Sequence, residues 1–343
     1  MSEKKYNVAI VGATGAVGQE ILEVLERRKF PVNKLKLLAS ERSAGKELKF
    51  HSTPIQVEAV THESFTSIDY AFFSAGATRS REFVPAAVKA GAVVIDNSSA
   101  YRMDSAIPLV VPEVNPEDLK EHKGIIANPN CCAAILAVAV APIHRAAGIK
   151  RMIVSTYQSA SGAGAKAMEE LELQAKAYAT GEPMQKEVLP HQIAFNVFSH
   201  NSAVESNGYN GEENKIVAEI RKIFHAPEMP ISPTCVRVPV LRAHSESVNL
   251  DLERPLSARE AFELLSKAPG IKMVHNEESV HFPMPIEATG DLDVHVGRIR
   301  QDSSTPQNYG LSLFICGDQL LKGAAWNAVQ IAEELIRQRE GAR

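Results

Sequence analysis

Residues 8–25 read VAIVGATGAVGQEILEVL, and the order of events within them decides the fold of the N-terminal half. Val8–Val11 is an apolar run suited to a buried strand, and the pattern from Val17 to Arg28 is that of a helix. Between them stand Gly12, Gly15 and Gly18. Glycines at a strand-to-helix turn permit a tight bend and let backbone N–H groups approach a pyrophosphate, whose charge the helix N-terminus favours. The spacing is G-x-x-G-x-x-G, a variant of the usual dinucleotide fingerprint, and its position between strand and helix gives it weight. A glycine-rich connection with no ligand is the competing reading.

Working outward, apolar and β-branched runs alternate with helical patterns through the first 147 residues. YNVAIVG, KLKLLAS, IDYAFFSAG, AVVIDNSS and GIIANP read as strands; 17–28, 79–89 and 132–147 read as helices. This alternation predicts a Rossmann-like parallel sheet with helices on its faces. After residue 150, RMIVSTYQ, TCVRVPV, ESVNLDLE, DVHVGRIR and YGLSLFICG are joined more often by polar or Pro-containing segments than by helices. They predict an α+β second domain with a mixed or antiparallel sheet, carrying helices over 165–178 and 258–266. An amphipathic helix over about 320–339 closes the chain.

The end of the second strand bears on cofactor choice. An NAD-binding fold usually places an acid there for the ribose 2′-hydroxyl. Here Ala39 and Ser40 end the strand, and Arg42 and Ser43 follow, a charge and a hydroxyl suited to a 2′-phosphate. NADP is therefore preferred over NAD; Glu41 is the neighbour that speaks for NAD, and a solvated polar loop is the alternative to both.

With 343 residues, two domains are expected. The formal net charge of −4, with basic residues spread along the chain, leaves no footprint for nucleic acid or an anionic membrane, so small-molecule chemistry is favoured. The N-terminus runs from charged residues straight into a strand without a signal-peptide pattern, and the apolar stretch 131–143 is too short to span a bilayer. Cysteines at 131, 132, 235 and 316 make neither a metal-ligand spacing nor a disulfide framework, which fits a reducing cytoplasm.

In IIANPNCCAAILAVAVAPI, Pro129 and Asn130 end an extended run, so Cys131 stands at a helix start, where partial positive charge favours a thiolate. Cys132, one residue further in, begins the apolar run. The residues alone leave two readings open: a reactive Cys131, or two small buried side chains. In TCVRVPVLRAHSESVNL, Arg237 on a strand and His244 in the following loop offer a cation for an anionic substrate and an imidazole for proton transfer.

GATGAVG, SERSAGK, NSSAYRM, ANPNC, TYQSASGAG, NGYNGEENK, RVPVLRAHSES and LKGAAWNAVQIAE occur in this order over nearly the whole chain. Together they resemble the aspartate-semialdehyde dehydrogenases. The resemblance implies an NADP-dependent oxidoreductase that interconverts 4-phospho-L-aspartate with L-aspartate 4-semialdehyde and phosphate through a cysteine thioester, in lysine, threonine and methionine biosynthesis. It implies a homodimer, a nucleotide domain of 1–130 plus 324–343, and a catalytic and dimerisation domain of 131–323.

Residue by residue, the resemblance places the nucleophile at Cys131 and the acid/base at His244. Arg237 falls on the carboxylate-binding arginine, Gln158 beside the thioester, and Glu212 near the substrate amine. Arg102, Asn130 and Lys215 fall on phosphate-binding positions. Thr14, Gly15, Ala16 and Val17, with Ser40, Arg42, Ser43, Ser161, Gly162 and Asn327, join Gly12 on the nucleotide. Two positions depart from the pattern: Cys132, where Ser or Thr is more usual, and Ala167, where a glycine would be unsurprising. N-Acetyl-glutamyl-phosphate reductase shares the two-step logic, but usually has Gly before its cysteine and has no free amine for Glu212 to meet. A non-catalytic nucleotide-binding paralogue is the remaining alternative.

Overall fold

A computed structural model describes residues 4–341. The chain forms two compact units, Met1–Asn130 with Ala324–Arg343, and Cys131–Gly323.

In the first unit, β1 (Tyr6–Val11), β2 (Val32–Ala39), β4 (Thr53–Ala59), β5 (Tyr70–Phe73), β6 (Val93–Asp96) and β7 (Ile125–Ala127) are parallel; β3 (Glu47–Phe50) pairs antiparallel at the edge. The order is β3-β4-β2-β1-β5-β6-β7, so the direction of winding reverses at β1. The crevice beyond the carboxyl end of such a strand is where open α/β sheets bind ligands. YAFF and VVID are buried throughout, as strands covered on both faces must be. Helix α1 (Ala16–Arg27) buries Gly18, Ile21, Leu22, Val24 and Leu25 on one face, and α2 (Ala77–Lys89) links β5 to β6. The last helix, α8 (Trp326–Gly341), packs on α1: Arg28 lies over the Trp326 ring at 4.7 Å and pairs with Glu333 at 3.2 Å.

The second unit has seven strands: β8 (Ile149–Gln158), β9 (Phe198–Ser199), β10 (Ile231–Arg237), β11 (His244–Leu252), β12 (Ile271–Met273), β13 (Val294–Gln301) and β14 (Gly310–Gly317). They run in the order β12-β13-β14-β11-β8-β10-β9, parallel only between β8 and β10 and between β12 and β13. The sheet is mixed, as the polar linkers predict. One face carries α3 (Cys131–Ala147), whose residues 132–141 are all buried. A helix apolar all round is a core element.

Several elements lie outside the sequence reading. The β3–β4 hairpin turns at His51 and Ser52, both with positive φ, a conformation normally signalled by Asn-Gly or Asp-Gly. Besides α6 (Ala258–Leu265), which matches the predicted 258–266, and the short α7 (Pro285–Ala288), helix α5 (Gly211–Ile223) adds a substantial helix to the two predicted for the second sheet. It opens with a capping box in which the Asn210 side chain accepts from the N–H groups of Glu212 and Glu213, an arrangement that stabilises a helix start by about 1 kcal/mol. Ala167 sits in α4 (Ala165–Thr180), buried against Leu171 and Leu189, so the helix accommodates it without a glycine. Among the described residues no helix is long and apolar enough to cross a membrane.

Candidate active site

The N-terminal glycine turn accepts nothing larger than hydrogen at two of its positions. Gly12 has φ +91°, and a Cβ there would lie 2.9 Å from the Ser74 carbonyl; one on Gly18 would lie 2.2 Å from the Gly12 oxygen. The N–H groups of Gly12 and Ala13 donate to the Leu38 carbonyl, stitching the turn to the end of β2. Gly15 N-caps α1 with no side-chain cap, and the first turn of α1, from Ala16 and Val17, carries no acid. An uncapped helix start facing the switch point fits a pyrophosphate. Thr14 Oγ1 donates to Ser43 Oγ at 3.3 Å, linking this turn to the loop after β2. There Ser40 and Arg42 are exposed, and the strand itself ends without an acid. These residues fit a dinucleotide.

Elsewhere in the first unit, Arg102 is buried, with Nε donating to the Asn128 carbonyl at 2.9 Å and Nη2 to that of Asn97 at 2.8 Å. Asn327 is fully buried; its amide donates to the Val110 carbonyl and to Asn128 Oδ1. Asn128 in turn donates to Asn97 Oδ1. Asn327 thus ties the start of α8 to the strand ends by side-chain amides. Asn130, buried, immediately precedes Cys131.

The second unit gathers the reactive groups. Cys131 is the first residue of α3, partly exposed, at the positive end of the helix. Its sulfur, that of fully buried Cys132 and an imidazole nitrogen of His244 all lie within 4.8 Å of one another. Hydrogen bonding from the Cys132 thiol, aided by His244, holds Cys131 well below the ordinary thiol range against the opposing effect of burial. The same hydrogen bond, with burial, pushes Cys132 well above it. The backbone leaves room at two points: a Cβ on Gly323 would stand 2.7 Å from Cys131 Cβ, and one on Gly162 would stand 3.0 Å from His244 Nε2 and 3.1 Å from Arg237 Nη1.

His244 opens β11 rather than lying in the loop before it, and it is fully buried. The Ser159 N–H donates to its Nδ1 at 3.1 Å, and Ser159 Oγ lies 3.0 Å from the same nitrogen. The amide cannot reverse its role, so the neutral ring carries its proton on Nε2. That nitrogen is buried and has no hydrogen-bond partner among the described residues. A soft metal held by the two sulfurs would need an unprotonated nitrogen from this ring, which the amide opposes. Ser161 is buried with its hydroxyl spent on Ser159 at 2.9 Å and on the Gln319 amide; Gln319 Oε1 accepts from Ala243 N–H at 2.8 Å. Ser161 and Gln319 therefore brace the loop that fixes the imidazole.

Arg237, 2% exposed at the end of β10, is the largest fully enclosed cation of the site. Nη1 donates to the Ser159 carbonyl at 2.7 Å and Nη2 to His200 Nε2 at 3.1 Å, while Nε has no partner among the described residues. Burial draws its pKa down and the neighbouring Cys131 and Glu212 charges draw it up. Buried Glu212, on α5, accepts from Gln158 Nε2 at 3.5 Å and from Lys215 at 3.2 Å. An anchored cation and a buried acid beside a thiolate suit a small substrate with a carboxylate and an amine. His200, which the sequence reading missed, receives a hydrogen bond from Arg237, and burial and that charge draw its pKa down against the opposing pull of Glu212. Nothing in FSHNSAV marks it beforehand.

The family model for "Semialdehyde dehydrogenase, NAD binding domain" matches residues 7–122, and that for "Semialdehyde dehydrogenase, dimerisation domain" matches residues 140–322. The aspartate-semialdehyde dehydrogenase of Synechocystis sp. is 54% identical over 329 residues, covering 96% of this chain and 97% of its own. The crystal structure of aspartate semialdehyde dehydrogenase II complexed with ASA from Vibrio cholerae superposes with a TM-score of 0.94 at 44% identity, covering 98% of this chain and 99% of that one. The aspartate semialdehyde dehydrogenase with NADP from Candida albicans gives a TM-score of 0.74 at 25% identity, with 97% and 98% covered.

Proposed function

The chain belongs to the aspartate-semialdehyde dehydrogenase family, oxidoreductases acting on an aldehyde, and on that premise we propose how its own residues carry out the reaction. The substrate pair is L-aspartate 4-semialdehyde and 4-phospho-L-aspartate, and the reaction serves lysine, threonine and methionine biosynthesis. The single observation that carries the reading is a cysteine at a helix start whose sulfur lies within 4.8 Å of a ring nitrogen of the buried His244.

In the biosynthetic direction the Cys131 thiolate attacks the acyl carbon, and the C–O bond to phosphate breaks. Arg102, Asn130 and Lys215 receive the departing phosphate, which takes up the proton the overall reaction consumes. Thr14, Ser40, Arg42 and Ser43 would hold NADPH, which would supply the hydride for the acyl carbon. Reduction of the thioester leaves a thiohemiacetal on Cys131. His244 shares its Nε2 proton with the developing oxyanion and recovers it as the carbonyl re-forms and the C–S bond breaks. Arg237 holds the carboxylate and Glu212 the ammonium, so a substrate lacking either charge leaves a buried partner unsatisfied. Gln158 orients the acyl group, Ser161 and Gly162 border the nicotinamide end, and Asn327 supports the nucleotide from α8.

A homodimer through the second unit fits the apolar side chains exposed there. Leu173 and Tyr178 on α4, with Phe195 and Val197 beyond it, are each more than half exposed, and the Tyr178 and Phe195 rings are 4.5 Å apart. Groups of this kind are usually covered by a partner. A reducing cytoplasm suits a thiolate with a second free thiol beside it.

The test is NADPH formation from L-aspartate 4-semialdehyde, followed by absorbance with and without phosphate. Steady turnover should require phosphate, because only phosphate returns the thioester to product. A rate indifferent to phosphate would mean simple aldehyde oxidation by water.

A further inference from the structure

His200 stands in the second unit beside the groups that hold the substrate, yet no step of the mechanism uses it. It follows β9, and its backbone N–H donates to the Cys235 carbonyl at 2.8 Å, which continues the β9–β10 pairing by one residue and sets the ring next to Arg237. Nε2 lies 3.1 Å from Arg237 Nη2. On the other side of the ring, Nδ1 lies 3.1 Å from Ser202 Oγ and 3.2 Å from the Ser202 backbone nitrogen. Ser202 Oγ in turn accepts from the Glu212 N–H at 3.0 Å and donates to Asn210 Oδ1 at 3.2 Å, so this hydroxyl is part of the cap of α5. A continuous path therefore runs from the Arg237 guanidinium through His200 and Ser202 to the helix start that carries Glu212.

The ring proton decides whether the path can hold. A neutral imidazole accepts at one nitrogen and donates at the other, and a guanidinium can only donate. Two donors thus compete for the ring, the Arg237 guanidinium at Nε2 and the Ser202 amide at Nδ1. A charged donor makes a hydrogen bond roughly twice as strong as a neutral one. Nε2 is therefore the acceptor, and Nδ1 gives its proton to the Ser202 hydroxyl. That hydroxyl has a lone pair for the ring, another for the Glu212 N–H and a proton for Asn210, so it is fully used. At His244 the opposite tautomer holds, because the Ser159 amide there faces no charged donor at the other nitrogen among the described residues.

We propose that His200, as the neutral ring protonated at Nδ1, and Ser202 are positioning residues that hold Arg237 and Glu212 in one frame and so set the register in which an α-amino acid is bound. Such a substrate carries its carboxylate and ammonium on one carbon, which demands a fixed separation between the two anchors. The inference rests on Arg237 and Glu212 being those anchors. The charged groups facing the ring are Glu212 and Lys215 on α5, Arg237 on β10 and Cys131 at the start of α3. Burial lowers the His200 pKa, Glu212 and Cys131 oppose this, and Arg237 and Lys215 add to it, for a net fall. A protonated ring would turn an N–H toward the guanidinium, so the frame holds above the His200 pKa and is lost as pH falls through it.

The test joins NMR with steady-state kinetics. In protein labelled with 15N in its histidine rings, the signals missing from His200→Gln are those of His200. In the wild type their long-range 1H–15N pattern should be that of the Nδ1–H tautomer, with a titration midpoint below the ordinary histidine range; the Nε2–H tautomer, or a ring charged at neutral pH, overturns the proposal. His200→Ala should raise KM for L-aspartate 4-semialdehyde by about fivefold or more with kcat within about twofold. His200→Gln, whose side-chain oxygen can accept from Arg237, should recover most of that loss. The wild-type KM should also rise on acidification through the His200 midpoint, and the same rise in His200→Gln would contradict the assignment. An unmoved KM in His200→Ala, where Arg237→Lys does raise it, overturns the positioning role alone. If Arg237→Lys also leaves KM unmoved, Arg237 is not the carboxylate anchor and the proposal falls with the reading beneath it.

Discussion

The backbone N–H of Ser159 donates to Nδ1 of His244 at 3.1 Å, and this bond decides where the ring keeps its proton. With Nδ1 an acceptor, Nε2 is the donor, buried and with no partner among the described residues. In the proposed mechanism this proton is the one shared with the developing oxyanion.

From that relationship, His244→Gln should lower kcat by roughly 100-fold or more with a small change in KM for the aldehyde. Ser159→Ala keeps the amide and should lose less than about tenfold. Steady-state kinetics of the two variants decide the matter. Equal losses would move the controlling contact from the amide to the Ser159 hydroxyl.

Gly162 has His244 Cε1 only 2.9 Å from where a Cβ would stand, with Arg237 Nη1 at 3.1 Å. Both neighbours are buried and held by hydrogen bonds to Ser159, so neither yields at low cost. Gly162→Ala should therefore reduce kcat/KM by at least about tenfold and also lower Tm, because the overlap falls on buried side chains. Kinetics and thermal unfolding together check this, and wild-type kcat/KM in a well-folded variant would show that the imidazole has room to move.

Arg237 is gripped by the Ser159 carbonyl and His200, which fixes the plane of its guanidinium. Lysine preserves charge but not the planar fork. Arg237→Lys should raise the KM for the aldehyde by about tenfold or more, equivalent to about 1.4 kcal/mol, with a lesser effect on kcat. A loss confined to kcat would point away from carboxylate binding.

Arg42 is exposed beside Ser43, which the Thr14 hydroxyl reaches. If it meets a 2′-phosphate, Arg42→Ala should weaken NADP by about tenfold and leave NAD nearly unchanged. Titration of both nucleotides by fluorescence distinguishes the cases; parallel weakening would reject the 2′-phosphate contact.

The parts of this molecule that declare themselves in the sequence are those whose physics is local. Gly12 and Gly18 sit between a strand and a helix, and the steric need for glycine there is set by atoms a few residues away or by the facing strand. The alternation of the first half likewise predicts the parallel sheet. What escapes is set by distant packing. The His51-Ser52 turn lacks the usual dipeptide, and α5 hides behind a polar start even though Asn210 and Glu213 spell its cap. Resemblance supplies His244, Arg237 and Glu212 by position, but not the amide of Ser159 on the ring, the His200 contact to Arg237 or the Ser202 hydroxyl between His200 and α5. Those depend on which strands of the second sheet become neighbours.

The central claim is that turnover passes through a thioester on Cys131, and the most direct measurement is to trap it. Enzyme mixed with L-aspartate 4-semialdehyde and NADP without phosphate, quenched in acid and fragmented for mass analysis, should carry an aspartyl group on Cys131. Added phosphate should discharge it, and Cys131→Ser should not form it. A burst of NADPH with no covalent adduct, or an adduct that fragmentation places on Cys132, would contradict the account.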